Sequence, residues 1–133
     1  MKAKIAYPFK IKIVLSYDGT DFLGWQRQSQ SQDTIQECLE AALSKVFNQP
    51  LRVCGSGRTD AGVHALAQVA HAWLPKDPKN YNLLAALNGL TPDSISIHQV
   101  QKVPLNFHAI ASSLSKTYQY LVLNSSLPSA LRH

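Results

Sequence analysis

The 133-residue sequence is 45% apolar and 16% charged, with a net charge of +5. Its length suits one domain, and its low charge and high apolar content exclude a largely disordered chain. No apolar run approaches the ~18–20 residues of a membrane-spanning helix, and Met1 to Lys12 alternates lysine with apolar residues, unlike a signal peptide.

Phe9 to Tyr17 alternates and then runs apolar, with β-branched residues at 11, 13 and 14. It predicts a first strand, ended by the turn pair Asp18-Gly19. Residues 29–33 form a polar loop. Thr34 and Glu37 then have the spacing of a capping box. Apolar residues at 35, 38, 39, 42, 43, 46 and 47 follow with the repeat of an amphipathic helix. Asn48 and Pro50 stop that helix. Leu51 to Ser56 is a short strand, Gly57 to Gly62 a loop, and Leu66 to Leu74 a third strand closed by Pro75. Leucines at 83, 84 and 87 mark a second helix from Asn80 to Asn88, ended by Gly89. Ile95, Ile97 and Val100 belong to a fourth strand, and Thr117 to Leu123 to a fifth. The order is β-α-β-β-α-β with an extra strand. It predicts an α+β, ferredoxin-like domain: an antiparallel sheet with helices on one face, spanning residues 1–133 as a single unit.

Of the net charge, Lys2, Lys4, Lys10 and Lys12 supply +4 with no acid among them. A concentrated basic arm permits a polyanionic partner such as a nucleic acid; a solvated tail is the plainer alternative. Lys10 and Lys12 read most simply as charges on an edge strand. Cys38 and Cys54 are too few, and wrongly spaced, for a zinc site or a disulfide scaffold, so a cytoplasmic protein with reduced thiols is expected. His64 and His71 have no Cys or carboxylate at ligand spacing. His64 reads as a loop hydrogen-bonding residue, and Trp25 as either a packed or an RNA-stacking ring.

The stretch Gly55-Ser-Gly-Arg58-Thr-Asp60-Ala-Gly-Val-His64 carries the chemistry. Three glycines punctuate one loop between two strands, so a partner can approach the backbone closely. A guanidinium two residues from a carboxylate can hold that carboxylate ionised and oriented, as a nucleophile or base requires. The same pair also serves as a structural salt bridge or Asx turn. Residue types alone leave both readings open.

Gly57-Arg-Thr-Asp-Ala-Gly-Val-His-Ala65 resembles the active-site motif of the tRNA pseudouridine synthase A family. Tyr17-Asp-Gly-Thr-Asp-Phe-Leu-Gly-Trp-Gln-Arg-Gln28 is similar to the family's first strand and loop. Thr34-Ile-Gln, Gln68-Val-Ala-His71, Asn88-Gly-Leu, Phe107-His-Ala and Tyr118-Gln-Tyr120 follow in the family's order, so the resemblance covers about residues 9–128. It implies an enzyme that isomerises uridine to pseudouridine in the tRNA anticodon stem-loop, with no cofactor, no metal and no membrane partner, acting as a homodimer. Asp60 matches the catalytic aspartate. Arg58 matches the arginine that pairs with it, and Tyr118 the tyrosine that stacks on the target base. Two positions depart from the pattern: Ile110 stands where the family has an arginine after Phe-His/Asp-Ala, and Lys116 where an arginine precedes Tyr-x-Tyr. Family enzymes are about twice as long, with two similar halves. The chain therefore reads as the N-terminal, catalytic-loop half. The rivals are a non-catalytic RNA-binding module of the same fold and a small-molecule enzyme using Asp60.

Overall fold

The computed structural model describes residues 7–20, 22–25, 34–57 and 61–108. Within them the chain runs through strand β1 (Phe9–Tyr17), helix α1 (Ile35–Phe47) and strand β2 (Val53–Gly55). Strand β3 (Ala65–Leu74), a 3-10 turn (Pro78–Asn80), helix α2 (Leu83–Leu90) and strand β4 (Ile95–Lys102) follow. The sheet order is β2-β3-β1-β4, and every adjacent pair is antiparallel. Each helix thus crosses over one intervening strand, which is the expected ferredoxin-like α+β plan. The predicted extra strand, residues 117–123, lies outside the described residues. No helix among the described residues is long and apolar enough to cross a membrane.

Period-2 alternation sorts the sheet into two faces. Ile11, Ile13, Leu15 and Tyr17 of β1 share the helix side with Ala70, Ala72 and Leu74 of β3 and with Ile95 and Ile97 of β4. They are buried in one core with Ile35, Leu39 and Leu43 of α1 and Leu83 and Leu87 of α2. Each fully buried Leu or Ile contributes roughly 1.5–3 kcal/mol. The other face carries Lys10, Lys12, Val14, Cys54, Val69, His71 and Trp73. β1 lies in the sheet interior, between β3 and β4. Lys10 and Lys12 are therefore not edge-strand charges, and Lys10 is only 3% exposed.

Local signals set the ends of the helices. The Thr34 hydroxyl accepts from the Glu37 amide at 3.3 Å, and Asn48 closes α1 in the left-handed region at φ 56°. The second helix is shorter at its start and longer at its end than its leucine spacing predicts. Asp77 caps the 3-10 turn, and Asn82 caps α2 by accepting from the Ala85 amide. Gly89 sits inside the helix; the stop comes at Thr91, whose amide and hydroxyl both donate to the Leu87 carbonyl.

Among the described residues, both outer strands of the sheet have main-chain groups held by a helix side chain. At β2, Glu40 Oε2 accepts from the Val53 amide at 3.0 Å, and Gln36 Nε2 donates to the Val53 carbonyl at 2.7 Å. At β4, Asn88 Oδ1 accepts from the Ile97 amide at 2.8 Å, and its Nδ2 donates to the Ile97 carbonyl at 3.0 Å. These bonds fix each helix against its strand.

Candidate active site

The loop from β2 to β3 is anchored on both arms. On the incoming arm, the Ser56 amide donates to the Val69 carbonyl at 2.8 Å. Gln68, buried at 8% exposure, then grips the next two residues. Its Nε2 donates to the Gly57 carbonyl at 2.6 Å, and its Oε1 accepts from the Ser56 hydroxyl at 2.9 Å. The Tyr17 hydroxyl stands 3.5 Å from the same Nε2.

The outgoing arm is held by the segment after β1. The Gly62 amide donates to the Phe22 carbonyl at 3.2 Å, with Gly62 at φ +82°, a conformation that favours glycine. The Gly19 amide donates to His64 Nδ1 at 2.9 Å, and Asp18 Oδ1 lies 3.1 Å from the same nitrogen. The two contacts require opposite states of that nitrogen, acceptor for the amide and donor for the carboxylate. The amide contact is the better determined, because a backbone N–H can only donate. His64 is thus the loop hydrogen-bonding residue that the sequence predicts.

Two glycines make this docking possible. A Cβ on Gly19 would stand 1.9 Å from the Val63 carbonyl oxygen, so backbone packs directly on backbone. A Cβ on Gly55 would meet the Trp25 ring at 2.5 Å. Trp25 is 2% exposed and lies 6.3 Å from the Tyr17 ring, which makes it a packed residue rather than a surface stacking platform. Its carbonyl accepts from the Gln36 amide, and that of Gly24 from the Ile35 amide, which fastens the segment to the start of α1.

The described parts of the two stretches singled out in the sequence, 17–28 and 57–65, therefore meet through Gly19, Phe22, Gly62, Val63 and His64. Arg58, Thr59 and Asp60 fall between the two anchored arms in sequence and lie outside the described residues, as does Tyr118. Gln68 entered the sequence reading only as the first residue of a family motif, with no role of its own. Its signal was present: at the helix-side positions 68, 70, 72 and 74 it is the one polar residue among Ala, Ala and Leu.

On the opposite face of the sheet, β2 and β3 place Cys54 directly across from His71. Burial pushes the His71 imidazole down from 6.5 to about 4, helped by the charges of Lys10 and His108. Burial likewise lowers the Lys10 ammonium, while Cys54 acts in the other direction.

A family model described as tRNA pseudouridine synthase matches residues 13–110. The chain is 46% identical over 125 residues to a tRNA pseudouridine synthase A of Bdellovibrio bacteriovorus, covering 91% of this chain and 48% of the relative. It is 44% identical over 120 residues to a protein of the same name from Ehrlichia ruminantium, covering 90% and 49%. With the Klebsiella pneumoniae namesake it shares 40% identity over 126 residues, covering 94% and 46%. The matched span contains both anchored arms, and the chain runs to about half the length of these curated relatives. With that match over most of its length, the chain belongs to the tRNA pseudouridine synthase family.

Proposed function

We propose that the chain forms one catalytic-loop domain, residues 1–133, of an enzyme that isomerises uridine to pseudouridine in the anticodon arm of tRNA. The observation that carries this reading is the two-sided anchoring of the loop bearing Arg58 and Asp60. Such a loop can hold a carboxylate still while a nucleotide is brought to it.

In the reaction, the bond from ribose C1′ to uracil N1 breaks and a bond from C1′ to C5 forms. The proton on C5 is released and N1 carries one instead, so the change is redox-neutral and needs no co-reactant. Asp60 is the acting carboxylate, either adding to the nucleoside or removing a ribose proton. Arg58 keeps that carboxylate ionised and oriented. Tyr118 stacks on the extruded base and offsets part of the unstacking cost. The substrate is tRNA, the basic residues contribute to binding it, and the working form is a cytoplasmic homodimer.

The test is Asp60→Asn, assayed by tritium release from C5-labelled tRNA, in this chain and in the chain extended to the length of its relatives. Turnover by the extended protein should vanish in the variant while tRNA binding persists. Turnover within about tenfold of the parent, only ~1.4 kcal/mol, would remove Asp60 from the role. An extended parent protein that binds tRNA without turnover would favour a non-catalytic RNA-binding module.

A further inference from the structure

The face of the sheet away from the helices holds a second cluster of chemically capable side chains. Cys54 of β2 and His71 of β3 are register partners. After β4 the chain turns back across this face. The Val103 amide donates to the Lys10 carbonyl at 3.0 Å. The Lys10 ammonium donates to the Leu105 carbonyl at 3.2 Å and to the Phe107 carbonyl, and lies 4.4 Å from the centre of the Trp73 ring. These contacts seat Phe107 edge-on against His71, with ring centres 6.4 Å apart, and bring His108 to 4.6 Å from His71. The ligand atoms of Cys54, His71 and His108 all lie within 4.8 Å of one another.

We propose that Cys54, His71 and His108 form a binding site for a single zinc-class divalent ion. Metal–ligand bonds of ~2.0–2.3 Å at tetrahedral angles put ligand atoms about 3.5 Å apart. Side-chain rotations of about 1 Å close the cluster to that size, with no change in strand register. One thiolate and two imidazoles, with no carboxylate among them, favour zinc over magnesium or calcium. Binding converts the Cys54 thiol to a thiolate and releases its proton to solvent. Three protein ligands leave a fourth position open. The Lys10 ammonium beside the cluster stabilises the thiolate and favours an anionic fourth ligand. Two ligands sit on paired strands and the third on the returning segment, so the ion would cross-link that segment to the sheet. None of this depends on the pseudouridine reaction.

The test is titration of the purified chain with Co²⁺, followed by competition with Zn²⁺. One equivalent should give the visible bands of tetrahedral cobalt together with a sulfur-to-cobalt charge-transfer band, and Zn²⁺ should bleach both. Cys54→Ser, His71→Gln and His108→Gln should each weaken binding at least about tenfold, whereas Cys38→Ser and His98→Gln should leave it unchanged. Absence of saturable binding at millimolar Co²⁺, a spectrum without the sulfur band, or loss of that band in Cys38→Ser would overturn the site. X-ray absorption of the zinc-loaded parent covers the case in which a ligand variant fails to fold. One sulfur and at least two nitrogens around zinc are expected, and a shell without sulfur overturns the proposal.

Discussion

Gln68 Nε2 donates to the Gly57 carbonyl at 2.6 Å, a bond from the core face of β3 to the residue immediately before Arg58. The same side chain also receives the Ser56 hydroxyl. Gln68→Ala leaves the half-buried Gly57 carbonyl and Ser56 hydroxyl short of a partner, at a cost of about 1–3 kcal/mol. Ser56→Ala removes one bond and costs about 0.5–1.5 kcal/mol. Urea denaturation checks both values. In the extended enzyme, Gln68→Ala should lower kcat at least about tenfold with little change in tRNA affinity, because it loosens the loop rather than the binding surface.

Three glycines are predicted to respond differently to alanine. At Gly19 the new methyl meets the Val63 carbonyl oxygen, which is backbone and cannot swing away. At Gly55 it meets the Trp25 ring, which can tilt only against the core. Gly55→Ala should cost about 1–3 kcal/mol, as overpacking does, and Gly19→Ala should cost more. Gly89 lies inside α2 with nothing within 4 Å of a Cβ, so Gly89→Ala should stabilise by about 0.5–1 kcal/mol. Thermal melts of the three variants check the order.

Glu40 and Asn88 perform equivalent tasks at opposite edges of the sheet. Each satisfies the amide of a buried edge-strand residue, Val53 or Ile97. Glu40→Ala and Asn88→Ala should each cost about 1–3 kcal/mol. Hydrogen exchange locates the effect: protection should fall at the Val53 amide in the first variant and at the Ile97 amide in the second. Loss at both amides in both variants would mean that the edges are not held independently.

Chelator-treated protein should lose stability on acidification through His71. Its imidazole is neutral in the fold, with a pKa of about 4 against 6.5 as the ordinary value. Between those pH values the unfolded chain binds the extra proton. The His71 contribution is therefore intact above pH 6.5 and is lost as pH falls toward 4. At ~1.4 kcal/mol per pH unit the loss is at most about 3.5 kcal/mol. Lys10, Cys54 and His108 face the ring and share its environment. Because carboxylates titrate in the same range, the measurement is the difference between parent and His71→Gln. The variant should show a flatter dependence from pH 6.5 to 4.5.

The four described strands, both helices and the caps of α1 were legible in the sequence because each depends on near neighbours. Alternation gives β1 its two faces, the leucine and isoleucine repeat gives α1 its buried stripe, and Thr34 and Asn48 end that helix by bonding within one turn. The motif around Arg58 and Asp60 was also legible, through its glycines and its family resemblance. Gly89 misled because a glycine marks a helix end only when the backbone enters the left-handed region; here the Thr91 hydroxyl supplies the stop one turn after Leu87. Other features required the tertiary structure. Lys10 reads as an edge charge until the sheet order places β1 in the interior. Gln68 reads as an interruption of an apolar face until Gly57 arrives above it. Cys54, His71 and His108 are 17 and 37 residues apart in the chain and have no ligand spacing. Only the pairing of β2 with β3 and the return of the chain over Lys10 bring them together. Periodicity along a strand says which side a residue faces, but which residue it faces is set by strand order and register, and those arise from contacts between distant parts of the chain.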